Sequence, residues 1–228
     1  MFPCKLDGKP KINSLKVKPT VGVDFLNVST TPNFGLKVDY PVTTGLTVSA
    51  DVQQGAYKFN AKTIDNRISA LRYGPSLFWT IDPNTTLFSS LQLGNYSDGN
   101  AETQSFTRLE RKFGEFSLAA NLFTWGYKNP TDNGYFAPSD FIVYTGEIAW
   151  EGDVITNALK CRVSVPLGGQ KVNGTTSDAG GYQTKCTIKI SPNFEADIGY
   201  VFSNVKNQAT GLNTANSQSL GTQVRIKF

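Results

Sequence analysis

The sequence predicts an all-β protein: a transmembrane antiparallel up-and-down β-barrel of about twelve strands. Three observations predict it. Apolar residues alternate with period two in segment after segment. Tight turns and longer polar loops take turns as the connections between those segments. No run of about 20 consecutive apolar residues could make a membrane helix, and mean hydropathy is only −0.26. A barrel strand has that low average because lipid-facing and lumen-facing residues alternate along it.

The alternation is clearest near the C-terminus. There Leu220, Thr222, Val224, Ile226 and Phe228 share one face, and Gly221, Gln223, Arg225 and Lys227 share the other. Leu159, Cys161, Val163 and Val165 oppose Lys160, Arg162 and Ser164. Thr184, Cys186, Ile188 and Ile190 oppose Lys185, Thr187 and Lys189. Such segments read as half-buried strands. The full set is 20–28, 34–41, 45–62, 68–81, 87–95, 104–113, 115–127, 141–150, 156–166, 182–191, 194–204 and 217–228. In 45–62 the apolar parity switches at Gly55, which a glycine bulge would produce and a hairpin would produce equally well.

Turn chemistry places tight turns at 43–45, 82–86, 113–115, 151–153 and 191–193. Longer polar loops fall near 63–67, 96–103, 128–140, 167–181 and 204–216. Both chain ends then lie on the short-turn side. Aromatics gather beside the turns (Trp79, Phe113, Phe116, Trp150, Phe194, Phe228) and near the loop ends (Trp125, Tyr127, Phe141, Tyr182, Phe202). They read as two interfacial girdles. Residues 1–19 carry Lys5, Lys9, Lys11, Lys16 and Lys18 without alternation until Val17, and read as a basic periplasmic extension preceding a barrel over 20–228.

The chain has no histidine, which argues against Ser-His or Cys-His catalysis and most zinc chemistry. Nothing points to a cofactor, a metal, a catalytic group or a nucleic-acid motif. Three cysteines are too few for a disulfide framework. Cys161 and Cys186 fall opposite each other across a hairpin, so they are either a cross-strand disulfide or two small apolar residues facing lipid. Strand parity assigns Lys37, Lys58, Lys62, Arg72, Arg108, Lys112, Lys160, Arg162, Lys185, Lys189, Arg225 and Lys227 to the lumen. The acidic residues there are Asp39, Asp51, Glu110, Glu147, Glu195 and Asp197. A basic excess in a low-dielectric channel favours anionic solutes. Its sharpest part is Lys160, Arg162, Lys185 and Lys189. Lumen charges that merely pair with one another are the alternative.

Gly134-Tyr135-Phe136-Ala137-Pro138-Ser139, followed by a strand containing Gly146 and Trp150-Glu151-Gly152, resembles a loop-to-strand element of exopolysaccharide exporters. The element lies in the C-terminal barrels of the cellulose-synthase outer-membrane subunit and the poly-N-acetylglucosamine exporter. The resemblance implies that Tyr135, Phe136 and Pro138 form an outer-rim loop, that the barrel is a polymer exit pore, and that a periplasmic tetratricopeptide-repeat region or secretion partner serves it. The chain is also similar to barrels appended to repeat proteins in cyanobacteria. Phe228 resembles the signal read by the barrel-assembly machinery. The expected setting is bacterial outer-membrane lipid. The expected function is a pore for polar or anionic solutes, with polysaccharide export, a general porin for small anions or oligosaccharides, and a plugged structural or adhesive barrel as the readings to separate.

Overall fold

The computed structural model describes residues 11–12, 15–27, 29–205 and 217–226, the first pair by backbone alone. After a two-residue β1 (Lys11–Ile12) come β2 (Leu15–Leu26), β3 (Ser29–Thr43), β4 (Leu46–Ala56), a short helix α1 (Ala61–Asp65), β5 (Ser69–Asp82) and β6 (Thr85–Tyr96). Then follow β7 (Ala101–Phe113), β8 (Phe116–Tyr127), β9 (Phe141–Ile155), β10 (Leu159–Val172), β11 (Thr175–Ser191), β12 (Phe194–Ser203) and β13 (Ser217–Ile226). All lie in one sheet in sequence order, and each pairs antiparallel with the next. The meander therefore has the expected up-and-down topology, one long strand for each predicted segment.

The sheet is open. Among the described residues β13 pairs with β12 and with no other strand, and no ladder joins it to β1 or β2. The predicted closure is thus absent from the hydrogen-bonding of the described residues. Phe228 and Lys227 lie outside them, as do Cys4, Lys5, Lys9 and most of the 204–216 loop.

Several boundaries move. Strand β2 begins at Leu15, so residues 15–19 are sheet rather than extension. The predicted 45–62 strand ends at Ala56, and Gly55 pairs with Ala70 in unbroken register, without a bulge. Residues beyond it turn into α1, whose Asn60 and Thr63 bond reciprocally as a capping box. The 151–153 turn is strand, and the connection falls at 156–158. The 167–181 loop is instead the tip of a long β10–β11 hairpin. Its turn is Asn173-Gly174, with φ of 48° and 83°. Two successive positive-φ residues make the tight turn whose twist matches a hairpin.

The two faces differ as lipid and lumen faces should. One parity exposes large apolar side chains: Phe25 at 68%, Ile148 at 62%, Leu167 at 65%. The same outward face carries Trp79, Phe113 and Phe116, beside the turns. Trp150 donates its indole N–H to Glu115 Oε2 at 3.0 Å, as an aromatic with one wet end does. The other parity holds the charged residues. Among the described residues, no helix is long and apolar enough to cross a membrane, which says nothing of strands.

Cys161 and Cys186 are directly paired in register and form a disulfide, Cα–Cα 4.1 Å. The reading of two separate lipid-facing thiols is overturned. A close antiparallel pair brings Cβ atoms within bonding reach.

Candidate functional site

The polar face is concave, and contacts across several strands reflect it. Neighbouring strands lie about 4.8 Å apart, so β7 and β10 are about 14 Å apart along a flat sheet. Yet Arg162 on β10 approaches Glu110 on β7 at 3.8 Å. The curl shows more clearly farther along: Phe106 on β7 and Ser203 on β12, about 24 Å apart along a flat sheet, line one cavity.

The middle of this wall is a ladder across β7, β9 and β10. Arg108 donates to both oxygens of Glu147 at 3.0 Å and to Glu110 Oε2 at 2.8 Å. It also donates to Asn121 at 2.9 Å. Arg162 reaches Glu151 at 3.2 Å and Glu147 at 3.6 Å, and Lys160 pairs with Glu151 at 2.6 Å. Toward the C-terminal edge, Arg225 donates to both oxygens of Asp197, at 2.7 and 2.9 Å, and Lys185 lies 3.4 Å from Asp197. Lys189 stands directly across from Glu195. At the other edge Lys18 and Lys37 share Asp39, and Lys58 pairs with Asp24 at 2.6 Å.

This changes the expected electrostatics. The cluster Lys160, Arg162, Lys185 and Lys189 is not a bare basic patch, because carboxylates interleave it. Three further acids belong to this face. Glu102 lay outside the predicted strand that began at 104, Glu151 was assigned to a turn, and Asp24 was left off the lumen face. All three occupy concave positions, and so do Lys16 and Lys18 on β2, which stand in register with Asp39 and Lys37; the described concave face keeps a basic excess, smaller than strand parity alone suggests. Lys62 sits on α1, not on a strand, and Lys227 lies outside the described residues.

At the loop end the concave face becomes an aromatic core. Tyr57, Tyr96, Trp125, Tyr127, Tyr135 and Phe141 are all buried there. Trp125, Tyr127 and Phe141 are therefore interior residues, not part of a loop-side girdle. The apolar parity switch at Gly55 has the same origin. Tyr57 keeps the concave parity of β4, and its ring joins the cluster, 5.0 Å from Tyr96. Inside the cluster lies Glu102, its side chain 1% exposed. It accepts from Tyr96 Oη at 2.6 Å and Trp125 Nε1 at 3.2 Å. Arg72 Nε lies 2.8 Å from its other oxygen, close but off the hydrogen-bond line. The Arg72 guanidinium also covers the Tyr57 ring at 4.8 Å. Arg72 is thus committed to holding the wall together.

Residues 128–140 are a true loop, folded onto this core. Tyr135 packs on Tyr57, Tyr96 and Tyr127. Its hydroxyl donates to Asp98 at 2.8 Å, and Asn133 donates to the same oxygen at 2.9 Å. Asn60 and Asn66 beside α1 donate to the carbonyls of Gly134 and Asn133. Pro138 is fully buried, and its carbonyl accepts from Tyr127 N at 2.8 Å. Phe136 meets Trp125 edge-on at 5.9 Å. Tyr135, Phe136 and Pro138 therefore clamp the loop inward at the rim. Burial works against ionisation of Asp98, but the bonds from Asn133 and Tyr135 win and hold its carboxyl below the usual range. Burial and the bond to Asp98 push the Tyr135 hydroxyl up.

Below the clamp the concave face encloses space. One cavity of about 360 Å³ is lined by Arg162, Ser164, Gln183, Lys185, Asp197 and Gln223, among others. A second, of about 460 Å³, lies between Thr20, Asn33, Gln53 and Arg72. Among the described residues no group of acidic or sulfur side chains is arranged to hold a metal ion.

No family model and no curated protein matches the sequence. Solved structures do match. One described as a bacterial polysaccharide outer membrane secretin superposes with a TM-score of 0.76 at 11% identity, over 96% of this chain and 78% of that one. OccK11 (OpdR) of Pseudomonas aeruginosa superposes with a TM-score of 0.52 at 12% identity, over 97% and 69%. The fold is that of outer-membrane β-barrels.

Proposed function

We propose that this chain is an outer-membrane pore that passes polar solutes, and that its cargo is an exported polysaccharide. The observation that carries the pore is the separation of faces. Exposed Phe, Ile, Leu and Val side chains cover one side, and hydrogen-bonded charges and cavities occupy the other. A soluble protein would bury the first face, whereas a bilayer is its proper solvent. The likeness to the polysaccharide secretin supports export, as does the similarity at 134–152. The neutralised ladder favours polar cargo of little net charge over small anions. The inward clamp of 128–140 favours the second reading, a selective porin, since such a loop narrows a lumen.

This reading requires closure. Unpaired edge amides and carbonyls each cost several kcal/mol in hydrocarbon. Strands β2 and β13 run in opposite directions, so they can pair antiparallel as every other neighbour does. The outer membrane, the assembly machinery acting at Phe228 and a periplasmic repeat partner complete the picture.

Reconstitution tests it. The purified chain, refolded into liposomes, should show heat-modifiable mobility and stepwise conductance in planar bilayers. Cysteines stepped along Val17, Val21 and Val23 should cross-link to one at Leu220. Folded protein with no conductance removes the pore, and failure of every cross-link removes the closed barrel.

A further inference from the structure

The concave wall carries aromatic residues that neither the ladder nor the clamp uses. Phe78 on β5 stands directly across from Phe88 on β6. Phe88 lies 6.0 Å from Phe106 on β7, and Phe106 stands directly across from Phe123 on β8. Phe123 meets Phe141 at 5.8 Å, where the rim cluster begins. All four phenylalanines share the parity of Arg72, Glu110 or Asn121, which is the concave one. Register and ring contacts together set them in an oblique row from the short-turn end to the loop clamp.

The stripe is only partly packed away, Phe123 resting against the rim core. Phe78 is 48% exposed although it lies on the polar face. Phe106 and Phe123 line a cavity of about 220 Å³ together with Asn121, Thr145, Val143 and Pro166. A core would have filled that space, since interiors pack to crystal-like density. Hydrogen-bonding groups flank the rings. Ser90 stands across from Phe106, and Asn121 donates to Thr145 Oγ1 at 3.3 Å. Arg108, held by its carboxylates, stands across from Phe88.

Ring faces beside hydroxyl and amide groups, spaced about a sugar residue apart, suit one chemistry. A pyranose has an apolar face of axial C–H bonds and an equatorial belt of hydroxyls. The aromatic face takes the first, and the flanking Asn, Ser and Thr groups take the second. A purely ionic cargo would gain nothing from the stripe, and a lipid would leave the polar flanks unpaired.

We propose that Phe78, Phe88, Phe106 and Phe123 form a stacking track on the concave wall along which a chain of weakly charged hexoses passes through the lumen. This rests on the pore reading above and names its substrate class. Many successive weak contacts let a polymer slide, because each ring hands the chain to the next without a deep well.

The test uses the full chain with maltohexaose and cellohexaose as probes. Calorimetry in detergent measures binding, and planar bilayers measure conductance and its blockade by the same sugars. The expected result is blockade that strengthens with oligomer length. Phe106→Leu and Phe123→Leu should each weaken binding about tenfold, the scale of one lost aromatic contact, and Phe106→Trp should retain it. Phe78→Leu alters an exposed side chain and folds regardless, so its loss of binding reads the track even if the others misfold. Conductance without sugar binding, or binding unchanged in the Leu variants, overturns the track and leaves the pore. Ring-dependent binding without conductance leaves a sugar-binding surface, removes the pore and overturns the track as a path for the polymer. Neither signal removes both.

Discussion

Glu102 is the residue whose loss should cost most. Its carboxylate lies inside the rim cluster, almost fully buried, and accepts from Tyr96 and Trp125 while facing Arg72 at 2.8 Å. Glu102→Leu preserves bulk but strands the Arg72 guanidinium, which is itself more than half-buried. Removing one partner of a buried ion pair costs about 3–5 kcal/mol, whereas replacing both with apolar groups is often nearly neutral. Two further donors, the Tyr96 hydroxyl and the Trp125 indole, lose their acceptor, at about 1 kcal/mol or more each. Arg72→Met should likewise cost several kcal/mol, because Glu102 would keep a buried charge. The double variant should cost less than the sum by about 2 kcal/mol or more, within the range of coupling for residues in contact. Guanidinium unfolding of the refolded protein, followed by tryptophan fluorescence and heat-modifiable mobility, measures all four corners of the cycle. A Glu102→Leu cost below about 1 kcal/mol, or strict additivity, would refute the claim that the pair anchors the cluster.

Other outcomes follow from the same geometry. Alkylation of the denatured, unreduced chain should label one cysteine of the three, and all three only after reduction; three labels without reductant would exclude the Cys161–Cys186 bond. Breaking that bond with Cys161→Ala/Cys186→Ala should cost up to about 3 kcal/mol in unfolding experiments, less if the reduced hairpin stays structured. Asp98 has a folded pKa below its ordinary 3.8, so its stabilisation is present above that value and is lost as pH falls through the lower folded one. Channel noise from the loosened 128–140 loop should therefore rise below about pH 4, and Asp98→Asn should show it at every pH. Glu147→Gln removes the shared carboxylate of Arg108 and Arg162, so the reversal potential in a salt gradient should move toward anion preference, with Arg162→Gln moving it the opposite way.

Period-two alternation was enough to place every long strand, because one face of each had to meet an apolar solvent and the other a polar one. It was weaker at the loop ends. From Phe116 to Leu122 the apolar residues of β8 keep outward parity, but Phe123, Trp125 and Tyr127 take the inward one. A pattern that is apolar on both faces looks like a girdle until the inward partners are known. Those partners, Tyr57, Tyr96 and Tyr135, come from distant segments, and only curvature brings them together. The Asn173-Gly174 turn was legible in principle. The pair is the strongest short hairpin signal when alternation flanks it, but the polar composition of 167–181 hid the strands on either side.

The charges show a sharper limit. Parity puts Arg108, Lys160, Arg162, Lys185, Arg225 and Glu147 on one face, because that needs only the strand's own sequence. Whether such a face is basic depends on who stands beside whom. Arg162 meets Glu110 three strands away, and Glu102 enters only because β7 begins at Ala101, three residues earlier than alternation alone suggested. A boundary shift of a few residues thus reduces the basic excess expected of the wall. The aromatic stripe was invisible for a related reason. Phe78, Phe88 and Phe106 are single apolar residues on polar faces, and each looks like noise within its own strand, while Phe123 merges with Trp125 and Tyr127. They become a feature only when the register sets them side by side, as the ladders from β5 to β8 do.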